Sequence, residues 1–216
     1  MEGMVQSLSV TRDTLASALW PVDATRGWLR NVILAVAGSL LVALCAQVQV
    51  PLWPVPITGQ TFAVLVVGMA YGWRLGGATL VLYTAEGAVG LPVFANFSSG
   101  LGVLAGPTGG YIFGGFVLGA ALVGYLAERG WDRSVVGTGL AMLAGNVAIY
   151  VPGLAWLALF YAGPGAQYVA ATGAESSLGA AFAAGALPFL LGDFLKLLLA
   201  AAVFPLVWRR ISRRTP

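Results

Sequence analysis

The stretch PFLLGDFLKLLLAAAVF, residues 188–204, sets one acid and one base in an otherwise apolar run. No charge other than Asp193 and Lys196 occurs from Leu178 to Trp208. A charged side chain at the centre of a membrane helix costs about 2.5–3.5 kcal/mol on insertion scales, so intramembrane charges mark function by default. At i and i+3 the two side chains share a helix face and reach each other. Pairing reduces the cost of burial without abolishing it. Two readings follow: an ion pair that locks a helix bundle, or a polar ligand site or proton path. Pro188 cannot donate a backbone hydrogen bond, which predicts a kink or break just above the pair. With the inner boundary near Trp208, Asp193 lies about 22 Å deep at 1.5 Å per residue, in the outer half of the membrane.

Composition sets the frame for that run. Of 216 residues, 59% are hydrophobic and 9% are charged, with 30 glycines and a mean hydropathy of +0.87. Soluble domains carry about 25% charged residues, so this chain cannot coat a water-facing surface. It reads as an all-α integral membrane protein. The basic residues sit at the chain ends and in short connections, which excludes a nucleic-acid partner. There is no histidine, hence no Ser–His or Cys–His nucleophile and no His metal ligand. No Gly-x-x-x-x-Gly-Lys-Ser/Thr loop occurs, so the chain does not hydrolyse ATP itself. No cofactor is expected, and the chain is not read as an enzyme. Cys45 lies in an apolar run and reads as a packing residue.

Apolar runs predict spans at 31–50, 58–73, 75–90, 109–127, 134–161 and 178–208. Five is the alternative count, if 58–90 forms a re-entrant pair. Six spans place all ten arginines on one side: Arg12, Arg26 and Arg30 before the first, Arg74 between the second and third, Arg129 and Arg133 between the fourth and fifth, and Arg209, Arg210, Arg213 and Arg214 after the last. The connections 51–57, 91–108 and 162–177 contain no lysine or arginine. By the positive-inside rule both termini are cytoplasmic. Residues 1–30 form a cytoplasmic extension, with Leu15, Ala18, Leu19 and Trp20 on one face of a possible interfacial helix ended by Pro21. Residues 31–210 form the six-helix domain.

The outside segment from Gly90, GLPVFANFSSGLGVLAGPTGG, is apolar enough to enter the membrane but too rich in Gly and Pro for one helix. Backbone of that kind is tolerated at membrane depth only when it is buried in protein or lines a cavity. It predicts a lid or pocket floor, with Ser98, Ser99 and Thr108 as donors. The segment VPLWPVPITGQT, 50–61, predicts a second cover, with Trp53 and Gln60 at its edges. Glu86, a third intramembrane charge, lies near the outer end of its span. Small residues recur at spacing four (Gly68/Gly72/Gly76, Gly106/Gly110/Gly114, Gly115/Gly119 and Ala35/Ser39/Ala43), which lets helices approach closely, either inside the bundle or at a docking face.

The motifs VPITGQT (55–61), GLPVF (90–94), GLGVLAGPTGGY (100–111) and GDFLK (192–196) strongly resemble the BioY family, the biotin-binding S component of energy-coupling-factor transporters. The resemblance runs in order from about residue 31 to 210. It implies a six-helix bundle in a prokaryotic cell membrane that binds biotin from outside under its first and third loops. It implies a membrane T component and cytoplasmic ATP-binding subunits as partners, with self-association open. It assigns ligand contacts to Ser98, Gly110, Tyr111, Asp193, Lys196 and Gln60. It assigns the T-component interface to Ala35, Ser39 and Ala43. Two positions depart from the family pattern: Gly59, where a larger apolar residue is usual, and Asn96-Phe97, where small residues are usual. The chemistry suits biotin. Asp193 can accept from ureido N–H groups and Lys196 or Ser98 can donate to the ureido carbonyl; Lys196, Tyr111 or loop N–H groups are equally candidates for the valerate carboxylate, and Tyr111, Trp156 and Phe97 for an aromatic slot. The competing function is a stand-alone proton-coupled transporter with Asp193 and Lys196 as a relay. The missing inverted repeats argue mildly against it.

Overall fold

In the computed structural model, the chain is described over residues 14–21 and 26–212. Arg12, Arg213, Arg214 and most of the N-terminal extension lie outside those residues. Thr14 and Ser17 form a capping box that starts α1 (Leu15–Leu19). Leu15 is buried, whereas Leu19 and Trp20 are exposed. α1 packs through Leu15 beside α3 (Gln60–Tyr71) and α9 (Leu190–Ser212), and the four expected residues do not share one buried face.

The first long helix, α2 (Gly27–Gln47), starts ahead of the expected residue 31. Two short antiparallel strands, Gln49–Val50 and Ile57–Thr58, close the proline-rich first loop into a hairpin, an element the sequence did not suggest. After α3 come α4 (Trp73–Ala88) and, within the connection that follows it, the short α5 (Leu101–Ala105). A π-helical turn, Gly110–Phe116, leads into α6 (Val117–Ala127). The long α7 (Val135–Ala162) carries Pro152 in its interior. The last expected span is broken in two. α8 (Ser177–Gly185) stops, Leu187–Phe189 makes a 3₁₀ turn around Pro188, and α9 resumes. The missing N–H of Pro188 accounts for the break.

Among the described residues, four helical segments are long and apolar enough to cross a membrane: Gly27–Gln47, Gly110–Ala127, Val135–Ala162 and Ser177–Ser212 taken across its break. α3 and α4 are shorter, and Gly72 at φ 84° turns the chain between them.

The glycine stripes are consumed inside the bundle. A Cβ on Gly68 would lie 2.4 Å from the Ala120 carbonyl oxygen, so α3 and α6 meet backbone to backbone. The stripe Ala35/Ser39/Ala43 is also turned inward. Ser39 is fully buried and its hydroxyl donates to Glu86 (3.2 Å) and to the Val36 carbonyl (3.0 Å), while Ala35 and Ala43 are only half-buried. The outward face of α2 is instead built from Val32, Val36, Leu40 and Leu44. The stripe predicted close packing correctly, but spacing alone does not say which neighbour it packs on.

The two ends of the bundle differ in chemistry. At one end the Trp73 N–H donates to Glu128 (3.2 Å), the Trp208 indole donates to Asp132, and Arg133 stacks on Trp208. The α3–α4 turn, the α6–α7 turn and the last turn of α9 therefore share that end, which carries Arg74, Arg129, Arg133, Arg209 and Arg210. The opposite end is covered by the hairpin and the segment 91–109.

Candidate functional site

A cavity of about 230 Å³ lies beneath the covered end. The hairpin contributes Val55, Pro56 and Thr58, and the first turn of α3 contributes Gln60 and Thr61. The third-loop segment brings Phe94, Ala95, Ser98 and Thr108. The π turn presents Tyr111 and Phe116, α7 presents Tyr150, and the break before α9 presents Gly185 and Phe189. π turns commonly mark functional sites because the extra residue re-aims side chains.

Breaking the last span creates part of this wall. The Gly185 carbonyl at the end of α8 accepts from the Tyr111 hydroxyl at 2.9 Å. The new helix start places Asp193 in the first turn of α9, where the helix dipole favours negative charge.

Asp193 is 5% exposed and fully partnered. One oxygen receives the Lys196 ammonium at 3.2 Å and, more weakly, the Thr61 hydroxyl at 3.4 Å. The other receives the Tyr150 hydroxyl. Lys196 also donates to the Thr61 hydroxyl at 2.8 Å and to the Thr58 carbonyl at 3.0 Å. The couple does not itself line the cavity. Thr61 and Tyr150 do, and they stand one side chain in front of it. The expectation that both charges open directly on the cavity is corrected accordingly. Of the residues in direct contact with the couple, Thr61 was quoted in a motif but not singled out, and Tyr150 was missed. An isolated tyrosine in the apolar run of α7 carries no periodic signal, and its partner lies 43 positions away.

Gln60 lines the cavity and is held at both ends. Its amide donates to the Tyr83 hydroxyl at 2.6 Å, which donates on to the Val93 carbonyl at 3.0 Å, and its oxygen accepts from Thr58 at 3.0 Å. The Ser98 hydroxyl reaches the cavity but donates to the Ala95 carbonyl at 2.7 Å. Gly110 is not on the cavity wall. A Cβ there would lie 2.2 Å from that of Trp156, so Gly110 lets the π turn seat on α7. Tyr111 is on the wall; Trp156 and Phe97 are not. The Trp156 indole donates to the Gly106 carbonyl at 2.8 Å, and Phe97 is 68% exposed. Phe94, Phe116 and Phe189 make the aromatic slot in their place. Ser99 and Glu86 are also off the wall, and Trp53 of the hairpin packs its ring 4.3 Å from that of Tyr168.

The third loop is pinned to α2. The Gln47 side chain donates to the Phe94 carbonyl at 3.0 Å and accepts from the Phe97 N–H at 3.0 Å. Asn96 and Phe97 adopt left-handed φ values of 58° and 53°. For bulky Phe97 such backbone is uncommon, and strain of this kind concentrates at ligand clamps. The departure from small residues at 96–97 therefore falls on the strained part of the cover.

An all-helical multi-pass membrane protein, with a cavity under its loops and an acid–base couple behind the cavity wall, has the architecture of a membrane-embedded solute-binding protein. Known proteins make this specific. The BioY family pattern matches residues 12–213, and the chain belongs to the BioY family. It is 36% identical over 175 residues to the biotin transporter BioY of Thermotoga maritima, covering 81% of this chain and 94% of that protein. It is 34% identical over 186 residues to the probable biotin transporter BioY of Pyrococcus horikoshii, covering 86% of this chain and 98% of that one. Its fold matches the crystal structure of the S-component for biotin from an ECF-type ABC transporter, with a TM-score of 0.67 at 17% identity over 87% of this chain and 95% of the other.

Proposed function

We propose that this chain is the biotin-binding membrane subunit of an ATP-driven importer, taking biotin from outside a prokaryotic cell. The observation that carries the reading is the cavity beneath the hairpin and third loop, with the fully partnered Asp193 and Lys196 behind its wall. The family supplies the ligand class. The ureido ring offers two N–H donors and one carbonyl acceptor, which meet Tyr150 and Thr61 on the wall, the two side chains that Asp193 and Lys196 hold from behind. The bicycle and valeryl chain lie against Phe94, Phe116, Phe189 and Tyr111, an apolar slot with few polar groups, as small-molecule sites usually are.

Six crossings with both termini in the cytoplasm fit the arrangement. α3 and α4 each run between the arginine-bearing end, at Gly72, and the cavity end, at Gln60 and Gly87. The Gly87 carbonyl accepts from the Gly100 N–H of the third loop at 2.7 Å. An even count keeps the arginines on one side. Energy for uptake comes from cytoplasmic ATP-binding subunits through a membrane T component. The outward face of α2, with Ala35 and Ala43 at its edge, is the docking surface we assign to that component.

Isothermal titration of the purified chain with biotin, thiamine and riboflavin tests the reading. Saturable binding of biotin alone is expected. No heat with biotin at millimolar concentration contradicts it. Uptake by the chain alone in proteoliposomes, driven by a proton gradient, would identify a stand-alone transporter instead.

A further inference from the structure

We propose that the site reads biotin by its ureido head and gives the valerate carboxyl no charged partner, so that biotin with a neutral tail binds nearly as well as the free acid. The inference rests on the biotin reading above and extends it to ligand range. Its basis is where the cations are. Among the described residues, no lysine or arginine lines the cavity. The three outer connections, 48–59, 89–109 and 163–176, contain none. The described arginines are Arg26 and Arg30 at the start of α2, and those of the inner turns and the last turn of α9. Lys196 is the one cation near the pocket.

Lys196 is already committed. An ammonium has three N–H groups, and the Lys196 ammonium meets three acceptors: Thr58 O at 3.0 Å, Thr61 Oγ1 at 2.8 Å and Asp193 Oδ1 at 3.2 Å. A ligand carboxylate could take Lys196 only by displacing one of these, and it would then sit beside Asp193 with like charge. The couple as a whole is neutral and offers a carboxylate little net attraction. The same wall suits N–H donors. The Tyr150 hydroxyl donates its hydrogen bond to Asp193, which leaves its oxygen free to accept from a group in the cavity.

Neutral donors remain for the tail. The Thr108 hydroxyl is on the wall, and among the described residues it has no hydrogen bond to protein. The Gln60 amide donates to Tyr83 and keeps a second N–H. Neither group distinguishes a carboxylate from a carboxamide by charge. The chemical class admitted is therefore biotin and its tail-modified amides and esters, within the length the loops allow.

The test uses the purified full chain in nanodiscs and three probes. These are biotin, its primary carboxamide (the same size without the charge), and biotin methylated on a ureido nitrogen. A charge-assisted partner for the carboxylate would weaken the carboxamide by about tenfold or more. The expected result is a carboxamide Kd less than tenfold above that of biotin, with the N-methyl compound weakened at least thirtyfold. A carboxamide weakened tenfold or more, with biotin still bound, overturns this inference alone. An N-methyl compound that binds like biotin also overturns it. Failure of biotin itself to bind overturns the biotin reading, and this inference with it.

Discussion

The two ends of α9 each bury a carboxylate, and they treat it in opposite ways. At the cavity end Asp193 has a lysine, a tyrosine and a threonine, with a cavity one side chain away. At the arginine-bearing end Asp132 is fully buried; one oxygen takes the Trp208 indole N–H and the other has no hydrogen-bond partner among the described residues. Asp132 borders no part of the cavity. Burial pushes the Asp132 carboxyl up from its ordinary value, outweighing the Trp208 hydrogen bond and the Arg133 charge that pull it down. Buried charge thus has two uses in this chain. One acid keeps three hydrogen-bonding partners beside open volume. The other fastens a turn to a helix.

Removing each acid's cationic neighbour gives the largest contrast. Lys196→Met leaves Asp193 buried without its counter-charge, a loss of about 3–5 kcal/mol. At about 2–4 °C per kcal/mol for a chain of this size, thermal unfolding should drop by roughly 10 °C, and biotin binding should be lost. Arg133→Met, at the exposed partner of Trp208, should shift unfolding far less. Equal shifts would erase the distinction between the ends.

Asp193→Asn comes next. A hydrogen bond to a charged group is worth about 1.5–3 kcal/mol, so titration should show biotin bound at least tenfold more weakly. Tyr150→Phe removes one donor to Asp193 and one acceptor on the wall. A several-fold rise in Kd is expected, with the thiamine and riboflavin controls still silent. An unchanged Kd would remove Tyr150 from the site.

The smallest effect belongs to the arginine-bearing end. The folded-state pKa of Asp132 is raised, so the folded protein holds this proton more tightly than the unfolded chain does. Its ionisation penalty is complete above the folded pKa and is relieved as pH falls through it. Asp132→Asn keeps an acceptor for Trp208 without the charge. Its melting temperature should exceed that of the parent by about 2–4 °C at pH 7.5, for roughly 1 kcal/mol. The gap should narrow as the pH is lowered and the parent protonates. A gap that widens on acidification would reverse the sign of the argument.

Sequence reading went furthest where physics is local. Apolar length found the long helices of the bundle, Pro188 announced the break, and the lone charges of the last span pointed to side chains that stand one residue behind the cavity wall. It fell short where facing matters. Ser39 is small and correctly spaced, yet it turns to Glu86 rather than outward. Gly110 belongs to the family motif, yet its missing side chain makes room for Trp156. Phe97 lies in the cover yet points away from the cavity, and Phe94, Phe116 and Phe189 take the aromatic role from separate elements. Tyr150 and Asp193 meet only because α7 and α9 pack together. Spacing within one segment carries no record of such a meeting.

Native mass spectrometry tests the central claim most directly, with the parent and Asp193→Asn purified side by side from biotin-supplemented cells. The account predicts the parent carrying one added mass equal to that of biotin and the variant stripped of it, with both folded. Equal occupancy of the two proteins, or a parent that carries no biotin, would contradict it.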